Sequence, residues 1–123
     1  MVVVFALLGL VGLAVHLSFA VGLSVWAGRV AKRRGGLFQP AVALPGLGFA
    51  VSLVGAWITV MGLTRAFGAV SAAAPEMRAS TLASGISDAM NAIAFGLGAS
   101  ILLYATSAIV SAIGSRRPRE TRA

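Results

Sequence analysis

The chain has no cysteine and only three acidic residues, Glu76, Asp88 and Glu120, among 123. Without cysteine there is no disulfide framework, no thiolate nucleophile and no cysteine-based zinc site. Charged residues make up 11% of the chain, less than half the roughly 25% of an ordinary soluble domain. One histidine and three scattered carboxylates do not compose a catalytic constellation. An enzyme is therefore not expected, nor a cofactor or a metal site.

What the chain has in quantity is apolar length, with hydrophobic residues at 59%. Uncharged stretches cover 2–28, 41–64 and 79–115, the last interrupted only by Asp88. Each exceeds the roughly 18 apolar residues that a membrane-crossing helix needs. The expectation is an all-α, multi-pass membrane protein with three transmembrane helices, at about 2–31, 41–68 and 79–114. They form a single three-helix domain over 1–115, with a basic loop at 29–40 and an outer loop at 69–79. A secretory signal carries its basic region ahead of a short apolar core. In 1–28 the positive charge comes only afterwards, so this stretch reads as a retained helix.

The charge that is present is strongly basic, ten Lys and Arg for a net +7, and it is clustered. Arg29, Lys32, Arg33 and Arg34 follow the first span, and Arg116, Arg117, Arg119 and Arg122 follow the third; the second connection has only Arg65 and Arg78 beside Glu76. By the positive-inside rule both clusters are cytoplasmic. Three spans then place the N-terminus outside and the C-terminus inside, with 116–123 a disordered basic tail. Such clusters attract anionic lipid headgroups at about 1 kcal/mol per residue. No nucleic-acid partner is expected, because no basic element interleaved with aromatics lies outside the apolar spans.

Small residues are periodic within the spans. In the first, Gly9, Gly12, His16, Ala20, Ser24 and Ala27 share a face, and Trp26 beside Arg29 suits an interface anchor. His16 reads either as a hydrogen-bonded packing residue or as part of a proton relay. In the second, Pro45, Gly48, Ser52, Gly55, Thr59, Gly62 and Ala66 recur at alternating spacings of three and four. In lipid, helices pack where small residues let their backbones approach. This seam is either a packing surface alone or a surface that also lines a polar path, with Thr59 presenting the hydroxyl. Pro40 and Pro45 are placed at or before the first turn, where proline is tolerated.

In the third span Ser84, Ser87, Asp88 and Asn91 form a short polar stripe that continues through Phe95, Gly98 and Leu102. Gly85, Ala89, Ala92, Gly96, Ser100, Ser107 and Ser111 form a longer small-residue stripe beside it. An ionised aspartate at mid-bilayer costs about 2.5–3.5 kcal/mol on insertion scales, so Asp88 is a functional candidate. The alternative places it near a helix start at Ser80 or Thr81, where the dipole and the headgroups accommodate a carboxylate.

Residues 53–113 resemble the last two membrane helices of the MotA/TolQ/ExbB proton-channel family, its TolQ and ExbB branch in particular. The stretch "ITVMGLTRAF" is similar to the family's G-T-V-x-G-I-x-x-A-F. The stretch "ASGISDAMNAIAFGLGASI" is similar to its P-G-I-x-E-A-L-x-x-T-A-x-G-L-x-x-A-I-P. The resemblance puts Thr59 on the family's second-helix threonine and Asp88 on its third-helix glutamate, both proton-pathway positions, with Ser87, Asn91 and His16 as candidate neighbours. It departs at Ile93, where the family has a second threonine, at Leu102, where it has proline, and in the short 29–40 connection, where it has a large cytoplasmic region. Positions 88 and 93 also differ by about 140° around a helix.

The resemblance implies a homo-oligomer, a pentameric ring packed through the seam of Gly48, Ser52, Gly55, Gly62, Gly85, Ala89, Gly96 and Ser100. In the family this ring surrounds a one-span partner of the TolR, ExbD or MotB type in the bacterial inner membrane. The function expected is a proton-channel or stator-like subunit of an ion-motive-force-driven motor. Two alternatives are a non-conducting structural subunit with the same packing, which Ile93 favours, and a holin-like pore former.

Overall fold

The structure, a computed structural model, describes residues 2–34 and 38–116. The tail arginines Arg117, Arg119 and Arg122, and the middle of the first connection, lie outside the described residues. Three long helices follow one another: α1 (Val2–Arg34), α2 (Gln39–Ala72) and α3 (Arg78–Arg116). All three are long and apolar enough to cross a membrane. At 1.5 Å per residue their 33, 34 and 39 residues extend about 50–58 Å, well past the roughly 30 Å hydrocarbon core.

The helices overrun the apolar stretches at both connections. Arg29 to Arg34 belong to α1, with Lys32, Arg33 and Arg34 in its last turn, so most of the expected basic loop is helix. Cations there oppose the negative end of the helix dipole. Between α2 and α3 lies a 3-10 turn, Pro75–Met77, in which the Met77 amide donates to the Ala74 carbonyl at 2.9 Å. The Arg78 Nε donates to the Ala73 carbonyl at 3.2 Å. It thereby satisfies a carbonyl just past the end of α2, which has no basic residue in its own last turn.

Pro45 is inside α2, in its second turn and not at its start, because the helix begins at Gln39. A proline there removes the amide that would bond the carbonyl four residues earlier. The Ser107 hydroxyl supplies the replacement, donating to the Ala41 carbonyl at 2.7 Å. Borrowed hydroxyls of this kind are what make proline tolerable in helices surrounded by lipid.

The chain divides into two compact units. One contains α1, α2 up to Phe49 and α3 from Ile101. Its interior is built from Ala20, Ala27, Val30, Ala31, Ala41 and Tyr104, with Ser107 and Ser111 also buried. The expected inner face of α1 is buried or half-buried from His16 to Ala27. Gly9 and Gly12 do not join it; both are exposed, and a Cβ at either would meet nothing within 4 Å. The other unit is residues 50–100, the rest of α2 antiparallel to the first part of α3.

Candidate functional site

Within residues 50–100 the two helices meet along the small-residue seam. A Cβ on Gly55 would stand 3.0 Å from the Gly96 Cα and 3.2 Å from the Ala92 carbonyl oxygen; one on Gly96 would stand 3.0 Å from the Gly55 Cα. At Gly85 a Cβ would collide with the Ala66 Cβ, and at Gly62 it would make an ordinary 3.4 Å contact with that of Ala89. Gly55, Ala89, Gly96 and Ser100 are buried, and Ser52, Gly62 and Gly85 are half-buried. Gly48, the remaining seam residue, is buried in the first unit. Backbone-to-backbone contact at these positions is the packing that lipid-embedded helices use in place of hydrophobic association.

Thr59 is set into this contact between Gly55 and Gly62. Its hydroxyl lies 2.8 Å from the Gly55 carbonyl one turn back and 3.1 Å from the Ala89 carbonyl across the interface. A single hydroxyl proton serves one acceptor fully at a time, so Thr59 has two alternative donor directions, one within α2 and one toward α3. Ala89 is the residue after Asp88. The two residues singled out in the sequence are thus brought to the same level of one helix pair.

Asp88 itself is beside the seam and not buried in it. It is exposed, and so are Ser84, Ser87 and Asn91, while the seam residues Gly62, Ala66, Gly85 and Ala89 border the groove that Asp88 lines. No hydrogen bond or ion pair among the described residues engages Asp88. It lines a groove of about 890 Å³ together with Trp57, Met61, Arg65, Ser80, Thr81 and Ser84. Thr59 is not among the residues lining that groove. α3 begins at Arg78, and no acidic residue is in its first turn. Asp88 is ten residues further on, about 15 Å along the axis, beyond the turn over which the helix dipole acts on a charge. The helix dipole therefore does not account for a carboxylate at Asp88.

Arg65 is the residue that sequence reasoning passed over. It lies inside the second span expected at 41–68, and the structure sets it in the same groove as Asp88. The signal was available: Arg65 is the only charged residue between positions 35 and 75. Ile93, five residues after Asp88, is 36% exposed, and Leu102 on the continued stripe is 70% exposed.

His16 belongs to the other unit. Its Nε2 is 2.9 Å from the Tyr104 hydroxyl, and its ring lies 5.4 Å from that of Phe49 and 5.5 Å from that of Tyr104. Phe19 packs edge-on against Tyr104 at 5.4 Å. The histidine is thus hydrogen-bonded inside an aromatic cluster, the arrangement a packing role requires. Tyr104 is the only tyrosine in the chain, and a lone phenol in an apolar run was the sign of a buried partner.

Against known families, the model of the MotA/TolQ/ExbB proton channel family matches residues 42–120, 79 of the 123 residues. The matched region contains Thr59, Arg65, Asp88 and Ile93. No curated protein and no solved structure matches the chain.

Proposed function

We propose, from the premise that this chain belongs to the MotA/TolQ/ExbB proton channel family, that it is a proton-conducting subunit of a motor driven by the ion-motive force. It is a multi-pass membrane protein; its residence in the bacterial inner membrane, with the N-terminus outside and the basic ends cytoplasmic, is part of the proposal. The observation that carries it is the Thr59 hydroxyl at 3.1 Å from the Ala89 carbonyl, beside a carboxylate that opens into a groove.

In this reading Asp88 takes up and releases a proton from the groove. Thr59 reorients its hydroxyl between the Gly55 and Ala89 carbonyls as water or a proton passes. The chain works as a homo-oligomer, a pentamer by analogy with the family, around a one-span partner helix of the TolR, ExbD or MotB type. Its role is transport or mechanical work, not enzymatic catalysis. A proton descending 100 mV releases about 2.3 kcal/mol, comparable with the 2.5–3.5 kcal/mol cost of an ionised aspartate in a span. The electrical driving force is therefore large enough to switch the charge of one such carboxylate.

The test is dye-monitored proton flux in liposomes under an imposed potential, with the partner co-reconstituted, for the chain and for Asp88→Asn and Thr59→Val. Both variants are expected to assemble normally and lose flux. Undiminished flux in two assembled variants would sink the reading. Ile93, in place of the family's second threonine, favours one other possibility: a structural subunit with the same packing that conducts nothing, in which the unaltered chain shows no flux at all.

A further inference from the structure

A second cleft, separate from any role of Asp88, lies within the first unit. It has a volume of about 580 Å³ and is lined by Trp26, Arg29, Val30, Arg33 and Arg34 of α1 and by Gly114 and Ser115 of α3. Trp26, Arg29, Val30 and Arg33 follow one another at helical spacings of three, one and three, so they form one stripe. The last turns of the two helices are close here because Gly114 has no side chain. A Cβ at that position would stand 2.6 Å from the Val30 Cγ1 and 2.8 Å from the Phe38 Cε1.

Among the described residues that line this cleft the charge is of one sign. Among the described residues the only carboxylates are Glu76 and Asp88, and both belong to the other unit. Guanidinium groups present planar forks of donors matched to phosphate oxygens. Ser115 adds a hydroxyl, and Trp26 adds an aromatic ring of the kind that settles at headgroup depth. The cleft also sits where the uncharged run of α1 ends, at Gly28, the kind of boundary at which a span meets lipid phosphates.

We infer that this cleft binds the phosphate of an anionic lipid headgroup, with Arg29 and Arg33 as the principal ligands and Trp26 against the upper acyl chain. This is more specific than attraction of basic clusters to a charged surface. It assigns selectivity to one pair of arginines and leaves the tail arginines dispensable. It does not depend on proton conduction.

The experiment uses the full chain with Trp57→Phe, so that Trp26 is the only tryptophan left, in phosphatidylcholine nanodiscs. A minor fraction of the lipid is brominated, either as phosphatidylglycerol or as phosphatidylcholine, and quenching of Trp26 is compared. The expected result is stronger quenching by the anionic lipid. That preference should fall roughly 25-fold in Arg29→Gln/Arg33→Gln, at about fivefold per arginine, and persist in Arg119→Gln/Arg122→Gln. Equal quenching by the two lipids overturns the inference. So does equal loss in both double variants, which would mean a diffuse surface field. Abolition of the preference by millimolar inorganic phosphate would also overturn it, assigning the cleft to the free ion.

Discussion

The Ser107 hydroxyl donates a 2.7 Å hydrogen bond to the Ala41 carbonyl, the group that Pro45, four residues on, leaves without its helical donor. Ser107 and Pro45 are both fully buried, so in this chain a proline on α2 and a serine on α3 form one structural unit. Ser107→Ala is expected to destabilise the protein by about 1–3 kcal/mol, the cost of a buried carbonyl left unpaired. Pro45→Ala restores the amide, so the double variant should lose most of that coupling. A double-mutant cycle of unfolding in detergent micelles measures it; additive effects would show that the two residues are independent.

One turn further along, Ser111 provides the contrast. Its hydroxyl is buried with no hydrogen-bond partner among the described residues. Ser111→Ala removes an unpaired polar group and should be neutral or stabilising, by up to about 1 kcal/mol. The same unfolding measurement distinguishes it from Ser107→Ala.

The glycines of α2 and α3 should divide by what faces them. Gly55→Ala places a Cβ 3.0 Å from the Gly96 Cα, which backbone cannot evade without the helices separating. Its cost is expected at about 1–3 kcal/mol. Gly98→Ala meets nothing within 4 Å and should gain about 0.5–1 kcal/mol from helix propensity. Thermal unfolding of the two variants side by side checks the difference in sign.

Ile93→Thr supplies the hydroxyl that the family has at this position. If Thr59 and Asp88 form the pathway, this variant should raise proton flux severalfold in the liposome assay. In combination with Asp88→Asn it should raise nothing. An increase that survives the loss of the carboxylate would place the conducting route elsewhere.

Tyr104→Phe removes the hydroxyl 2.9 Å from the His16 Nε2 while keeping the ring packed against Phe19 and His16. A loss of about 1 kcal/mol in stability, with proton flux unchanged, is the expected outcome for a packing histidine. A flux defect without a stability defect would instead place His16 in the pathway.

The helices and their close packing were legible because both are written in local patterns. Apolar length sets a span, and the three-four recurrence from Ser52 to Ala66 aligns small residues on one side of α2 whatever its neighbour is. Asp88 was legible as an anomaly, one carboxylate in an uncharged run. The surroundings of Arg65 were not. Its place in the second span was expected, but which residues of α3 share its groove depends on how the two helices pack, which no local pattern records. Pro45 was misplaced for the related reason that a proline suggests a helix start unless a donor from another helix rescues it, and Ser107 lies 62 positions away in the chain.

By itself the sequence determined that this protein has three helices long and apolar enough to cross a membrane, which small residues recur along their faces, and that Asp88 is a lone carboxylate in an uncharged run. These follow from composition, periodicity and side-chain chemistry, which need no knowledge of neighbours; the pairing of Asp88 with Thr59 as candidate proton carriers comes from the resemblance to the family. Only the tertiary structure decided the partners. Thr59 faces the Ala89 carbonyl, Asp88 shares a groove with Arg65, His16 bonds Tyr104, and Gly114 brings α3 against Val30 of α1. Each of these pairings joins groups far apart in the chain, and a hydrogen bond or a steric contact acts only over the last few ångströms.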